Sequence, residues 1–215
     1  MTDWGDTVGR CVIFCAAGFA GLLTPLNKDD FIIAADGGLR HTEALGITPN
    51  VILGDFDSLG YVPEHSAVFP AEKDDTDAML AIRRGLTLGY REFFLYGGMD
   101  GPRLDHTLAN LQALTFLADR GARGYLIGND TVATVVKNGK LQFSPATEGL
   151  LSVFCMGEAA DGVSLSGLQY PLTNASLNAH FPLGVSNHFI GEAATVSVEK
   201  GSLLVLFPRS VPLPR

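Results

Sequence analysis

Between Val12 and Ile127 the chain carries five short apolar runs, separated by loops and by stretches with helical periodicity. The runs, at 12–16, 31–35, 51–53, 93–96 and 125–127, have the length and composition of buried strands. Helices are predicted over 39–45, 77–88 and 106–120, each stopped by a glycine: Gly46, Gly89 and Gly121. Thr76 is a good N-cap for the second helix, with Met79, Ile82 and Leu86 recurring on one face. The third should bury Leu108, Leu111, Leu114 or Thr115, and Ala118. Strand, loop and helix in alternation predict an α/β unit with a mostly parallel sheet. Ligands of such sheets lie beyond the carboxyl ends of the strands. Asp36, Asp55, Asp57 and the loop 97–105 all fall at such ends.

The texture changes after about residue 130. No amphipathic helix follows; short β-like runs at 131–136, 140–143, 150–156, 162–168, 194–198 and 203–207 are broken by Gly, Asn and Pro. Asn138-Gly139 is a strong hairpin signal, and Lys200-Gly201 suggests a second hairpin. The expected architecture is an N-terminal mostly parallel α/β domain, residues 1–135, followed by an all-β sandwich or barrel-like domain, residues 136–215. Residues 61–71 should be irregular, and the tail 208–215 frayed.

At 215 residues, with 47% hydrophobic and 18% charged residues, the chain is globular and long enough for a real core. Its net charge of −8 disfavours nonspecific nucleic-acid binding. Cys11, Cys15 and Cys155 form no CxxC pair and lie in apolar runs, so buried, reduced thiols are expected. The apolar stretch 11–23 follows Arg10, but Asp3 and Asp6 spoil a signal-peptide n-region, and the stretch is too short to span a bilayer. The expected setting is cytoplasmic, with no membrane partner.

Asp55 and Asp57 are two residues apart at a strand end, so in extended chain they point the same way. A second acidic cluster, Asp74, Asp75 and Asp77, opens the second helix. Two neighbouring carboxylates are costly unless something positive sits between them. The expectation is that the clusters meet around a divalent cation. Oxygen donors alone select Mg²⁺, Mn²⁺ or Ca²⁺, and no His/Cys zinc spacing exists. Walker A and GxGxxG phosphate loops are also missing. Singly these features are ordinary: a DxD pair is often a solvated turn, Asp77 suits the positive end of a helix dipole, Asp105 can cap a helix, and Ser186-Asn187 reads as a turn. Their weight lies in the ensemble, with Lys73 and Arg103 at the same presumed edge.

Ala35-Asp36-Gly37-Gly38, Gly54-Asp55-Phe56-Asp57-Ser58, Lys73-Asp74-Asp75-Thr76-Asp77 and Arg103-Leu104-Asp105-His106 occur in this order. Gly184-Val185-Ser186-Asn187 precedes a final run from Val196 to Leu204. The ordered set, from about Val12 to Phe207, closely resembles the thiamin pyrophosphokinase family. The resemblance implies pyrophosphoryl transfer from ATP to the thiamin hydroxyl, giving AMP and thiamin diphosphate. It also implies two domains and a homodimer with thiamin near its interface. By position, Asp55, Asp57 and Asp77 correspond to the Mg²⁺ site. Lys73, Thr76 and Arg103 correspond to ATP phosphate contacts, Asp36 and Asp105 to the nucleotide and metal pocket, and Ser186 and Asn187 to the residues that recognise the thiamin pyrimidine.

Two departures stand out. Pro102 replaces a glycine before Arg103, removing a backbone donor. The single Trp, Trp4, is far from the Ser-Asn pair, so Phe181, His188 and Phe189 are the candidates for an aromatic on thiamin. The general base is left between Asp77 and Asp105. Two rival readings are a phosphohydrolase with Asp55 as nucleophile and Asp57 as acid, and a thiamin or nucleotide sensor without turnover.

Overall fold

The computed structural model describes residues 9–57, 59–68, 75–145 and 149–215. The chain forms two compact units. One comprises Met1–Ala113 and Arg120–Asn129, the other Leu114–Asp119 and Asp130–Arg215.

In the first unit the strands are β1 (Cys11–Phe14), β2 (Phe31–Ala35), β3 (Val51–Gly54), β4 (Ala67–Val68), β5 (Glu92–Tyr96) and β6 (Arg123–Ile127). They lie in the order β6-β5-β1-β2-β3-β4, all parallel. Every residue of β1 is buried, as a wholly apolar run requires. The helices are α1 (Leu39–Ala44), α2 (Asp77–Thr87) and α3 (Leu104–Ala118). Thr76 caps α2, its hydroxyl accepting from the Met79 N–H at 3.2 Å.

Two helix faces differ from the apolar periodicity. The buried stripe of α2 is Ala78, Ala81, Ile82 and Gly85; Met79 and Leu86 are only half-buried. Small residues win because the helix sits close to the sheet: a Cβ on Gly85 would come within 2.6 Å of the Phe93 ring and 2.7 Å of Cys11 Sγ. α3 starts two residues early and buries Asn110, Ala113, Leu114 and Leu117, while Leu108 is 55% exposed.

The second unit contains β7 (Thr131–Phe143), β8 (Leu150–Cys155), β9 (Ala159–Ser166), β10 (Leu172–Asn178), β11 (Asn187–His188) and β12 (Ala194–Pro208). All its pairings are antiparallel: β10 with β9, β9 with β12, β12 with β7 and β8, and β8 with β11. The chain's β structure is therefore mixed, not the mostly parallel sheet expected. Neither predicted hairpin forms. β7 and β12 each run straight through their Gly-containing interruption and pair on both sides of it, with Gly139 opposite Val198 and Lys137 opposite Ser202. The two turn signals face one another as a matched irregularity. Asn138 adopts φ +46° and its Oδ1 accepts from the Gly201 N–H at 2.9 Å. A partner strand carrying its own interruption satisfies the backbone that would otherwise fold into a turn.

The tail is anchored, not frayed. The Arg209 N–H donates to Asp130, Val211 is 3% exposed, and the Gln142 and Arg215 main chains exchange two hydrogen bonds. All three cysteines are buried and unpaired. No helix among the described residues is long and apolar enough to cross a membrane.

Candidate active site

The carboxyl ends of β1, β2, β3 and β5 open onto a cleft of about 630 Å³ in the first unit. Its wall includes Asp36, Asp55, Asp57, Asp75, Thr76, Asp77, Arg103 and His106. Sequence-distant acids meet here because each ends a strand or begins a helix at the same sheet edge.

Asp36 leaves β2 with φ +47° and enters a short 3-10 turn, Asp36–Gly38. Gly54 brings β3 against it: a Cβ there would lie 3.0 Å from Asp36 Cα, at φ +149°. Any larger residue at Gly54 would push the two strand ends apart. Between Asp55 and Asp57 the backbone is not extended. Phe56 takes φ +59° and is 2% exposed, packed with Ala34, Leu39 and Leu59. Phe56 is an apolar anchor that ties the acidic loop to the core. One carboxylate oxygen from each of Asp36, Asp55 and Asp57 lies within 4.8 Å of the others. The Asp57 N–H donates to Asp55 Oδ1 at 3.2 Å. Asp36 Oδ1 is fully buried and has no hydrogen-bond partner. A buried carboxylate oxygen left unpartnered is expensive unless a cation completes it. Three hard oxygen donors of this kind suit Mg²⁺ or a similar divalent ion.

Asp77 lies in the cleft wall at the start of α2, outside that group of three. Asp75 is tied back to α2 by Arg83, whose Nε lies 2.8 Å from Asp75 Oδ2. Lys73 and Asp74 lie outside the described residues. Arg103 and Asp105 form an exposed ion pair, Nη2 to Oδ2 2.7 Å. Their mutual hydrogen bond raises the Arg103 pKa and holds the Asp105 carboxyl below the usual carboxylate range. Cys15 also lines the cleft, and burial, reinforced by Asp77 and Asp36, pushes its thiol up to about 12. It is therefore a neutral wall residue and not a nucleophile.

Sequence reasoning missed Asn110. It is buried, lines the cleft, and donates from Nδ2 to the Gly98 carbonyl at 2.8 Å. That bond anchors the loop leading to Arg103. The available signal was its spacing: Asn110 stands three and four residues before Ala113 and Leu114, on the face that the helix buries. At Gly97, φ is +65° and a Cβ would meet the Cys15 carbonyl oxygen at 2.2 Å, so the same loop depends on glycine.

Ser186 and Asn187 lie in the second unit. Ser186 is exposed, with φ +60°, and its N–H donates to Ser152 Oγ at 3.1 Å. Asn187 is 3% exposed. Its Oδ1 accepts from the Tyr170 N–H at 2.9 Å and its Nδ2 donates to the Tyr170 carbonyl at 2.7 Å. Of the candidate aromatics near this pair, Phe189 is 7% accessible and packs edge-on against Phe143 at 5.2 Å.

Two family models match the chain. "Thiamin pyrophosphokinase, catalytic domain" matches residues 23–126, and "Thiamin pyrophosphokinase, vitamin B1 binding domain" matches residues 140–203. The chain belongs to the thiamin pyrophosphokinase family. The first match contains the acid cleft and Arg103; the second contains Ser186 and Asn187. A thiamine pyrophosphokinase of Bacillus subtilis is 29% identical over 191 residues, covering 81% of this chain and 85% of that protein. A thiamine pyrophosphokinase crystal structure from the same species superposes with a TM-score of 0.81 at 25% identity, over 92% of this chain and 98% of the other. A thiamin pyrophosphokinase structure from Geobacillus thermodenitrificans gives 0.76 at 26% identity, over 92% and 96%.

Proposed function

We infer that this chain is a Mg²⁺-dependent thiamin diphosphokinase that transfers a pyrophosphoryl group from ATP to the hydroxyethyl oxygen of thiamin, releasing AMP. The observation that carries the reading is the trio Asp36, Asp55 and Asp57, closer than 4.8 Å, in a chain matched by both family models.

In this reading Asp55 and Asp57, joined by Asp36, hold the divalent cation. When bound, such an ion neutralises triphosphate oxygens and polarises the phosphorus under attack. The remaining work is positioning and charge compensation. Arg103 leaves its pairing with Asp105 to face phosphate oxygens, and Lys73 contributes a second cation. Thr76 and the amino end of α2 offer donors and the positive helix end to an anion. Asp77, in the same cleft wall at the start of α2, is the third acid that the resemblance assigns to the metal. Asp77, in the cleft wall, and Asp105, released once Arg103 turns to phosphate, are the two candidates for the base. A positioned base contributes roughly 10²–10⁴-fold.

The vitamin end is assigned to Ser186 and Asn187, in a C-terminal β domain of residues 136–215 that complements a catalytic domain of residues 1–135. A homodimer belongs to the proposal. It is supported by Phe181, Leu183, Val185 and Ile190, all large apolar side chains left 40–65% exposed around that pair. Buried, unpaired cysteines fit a cytoplasmic setting, and the acidic charge fits a protein without a nucleic-acid partner.

Product analysis tests the reading. With ATP, Mg²⁺ and thiamin, the wild-type protein should form AMP and thiamin diphosphate together. Free phosphate formed without thiamin would support the phosphohydrolase alternative instead; thiamin binding with no AMP would support a sensor.

A further inference from the structure

We propose that Asp100 is a positioning residue for the transfer: its carboxylate pins the second half of the loop 97–103 to the end of β6 and so sets where Arg103 enters the cleft. This rests on the thiamin diphosphokinase reading and adds to it a residue that acts only through Arg103.

The loop leads from the end of β5 to Arg103 at the start of α3. Its first half is held through its own carbonyls: the Ala17 N–H donates to Gly97 at 2.8 Å and Asn110 Nδ2 to Gly98. Its second half is held by a side chain. Asp100 Oδ2 accepts from the Asn129 N–H at 2.6 Å, a charge-assisted bond to the main chain just beyond β6. Pro102, the residue before Arg103, has no N–H with which to anchor the loop itself. The loop after β1 packs into the same joint. A Cβ on Gly18 would lie 3.4 Å from Asn129 Nδ2 and 3.6 Å from the Asp100 carbonyl oxygen, and one on Gly101 would lie 2.9 Å from Ala17 Cβ. Loops from β1, β5 and β6 thus close on one another at Asp100, three residues before Arg103. Gly101, Pro102 and Arg103 line the cleft, whereas Asp100 stands outside its wall, turned to β6.

Backbone conformation points the same way. Asp36, Phe56 and Asp100 take left-handed backbone, with φ +47°, +59° and +61°, in the loops that leave β2, β3 and β5. Asp36 brings its buried oxygen to the acid trio, and Phe56 anchors the acidic loop in the core. Asp100 is exposed and belongs to neither arrangement. A non-glycine residue persists in this conformation where its surroundings hold it, and such residues gather at functional sites. Aspartate meets both demands here, since it tolerates the positive φ and its short carboxylate reaches a neighbouring main chain. Arg103 supplies the reason for a second anchor. Its guanidinium is paired with Asp105 and must exchange that partner for phosphate oxygens. When the ion pair opens, the Asp100 bond is what keeps the base of the arginine in place, and a small misplacement of such a group is costly in rate.

Steady-state kinetics with purified full-length protein test this. Asp100→Gly keeps the left-handed backbone and removes the acceptor, whereas Asp100→Asn keeps both. Asp100→Gly should lower kcat for AMP formation about tenfold, with KM for thiamin within about twofold. Its melting temperature should stay within a few degrees of wild type, because the residue is exposed. Asp100→Asn should recover most of the lost rate. In an Arg103→Ala background, Asp100→Gly should cost no more than about a further twofold, because one residue acts through the other. An unchanged kcat in Asp100→Gly overturns the proposal. So does a full further tenfold loss on top of Arg103→Ala, or an Asp100→Asn variant as slow as Asp100→Gly. A melting temperature that collapses in Asp100→Gly marks a role in folding and overturns it too. If the wild type makes no AMP from thiamin at all, the functional reading fails instead, which separates the two failures.

Discussion

The acid cleft of the first unit and the Ser186-Asn187 corner of the second treat their polar groups in opposite ways. In the cleft a buried carboxylate oxygen of Asp36 is left without a partner, beside two further acids. At the corner every polar atom of the Asn187 side chain is matched to main chain. A site for a cation gains from keeping one such oxygen unmatched until the ligand arrives. A site for a flat, cationic vitamin must instead fix its shape, so its amides are used for scaffolding. Asp36 and Asn187 are thus told apart by whether their side-chain hydrogen bonds are already made.

Substitutions can break this contrast in order of size. Asp57→Asn should lower the rate of AMP formation by about 10³-fold or more at saturating Mg²⁺, with an unchanged circular dichroism spectrum, because it removes charge stabilisation at the reacting phosphates. Arg103→Ala should cost on the order of 10²-fold in kcat, and Arg103→Lys should recover only part of it, since an ammonium cannot replace the guanidinium fork.

Stability should move the other way at the two sites. Asp36→Asn keeps a side chain that tolerates the left-handed backbone and removes a buried, unpartnered charge. It should raise the melting temperature of metal-free protein by a few degrees, about 1–2 kcal/mol, and abolish stabilisation by Mg²⁺. Asn187→Ala should lower it, because two main-chain groups of Tyr170 lose their partner, at about 1–3 kcal/mol. If both substitutions shift the melting temperature in the same direction, the contrast is wrong.

The smallest effect is at the opposite edge of the parallel sheet, where an acid is fully paired. Burial alone would raise the Asp30 pKa, but hydrogen bonds from Arg10 and the Asn27 N–H outweigh it and lower it. A lowered folded-state pKa contributes stability above the ordinary carboxylate range, near pH 4, and that contribution is lost as pH falls through the folded-state value. Asp30→Asn should flatten the loss of stability between about pH 5 and 3 in acid titrations followed by fluorescence.

Much of this was legible in the residues. Wholly apolar runs marked β1, β2, β3, β5 and β6, and acids at their ends marked the cleft, because burial and strand polarity are written locally. What was not legible depended on neighbours. Asn138-Gly139 reads as a hairpin until β12 presents Lys200-Gly201 directly opposite and turns both into irregularities of long strands. The buried stripe of α2 shifts to its small residues because Phe93 and Cys11 fill the space beside Gly85. The polar strand β10, Leu172–Asn178, has no apolar signature and was passed over. Asp36 was read as shaping the pocket, and only the fold shows its carboxylate within reach of Asp55 and Asp57.

The most direct measurement is Mn²⁺ binding, followed by electron paramagnetic resonance, to wild-type protein and to Asp57→Asn in the presence of ATP. The account predicts a protein-bound ion in the wild type and affinity weakened by at least about tenfold in the variant. Equal affinity in the two proteins would contradict it.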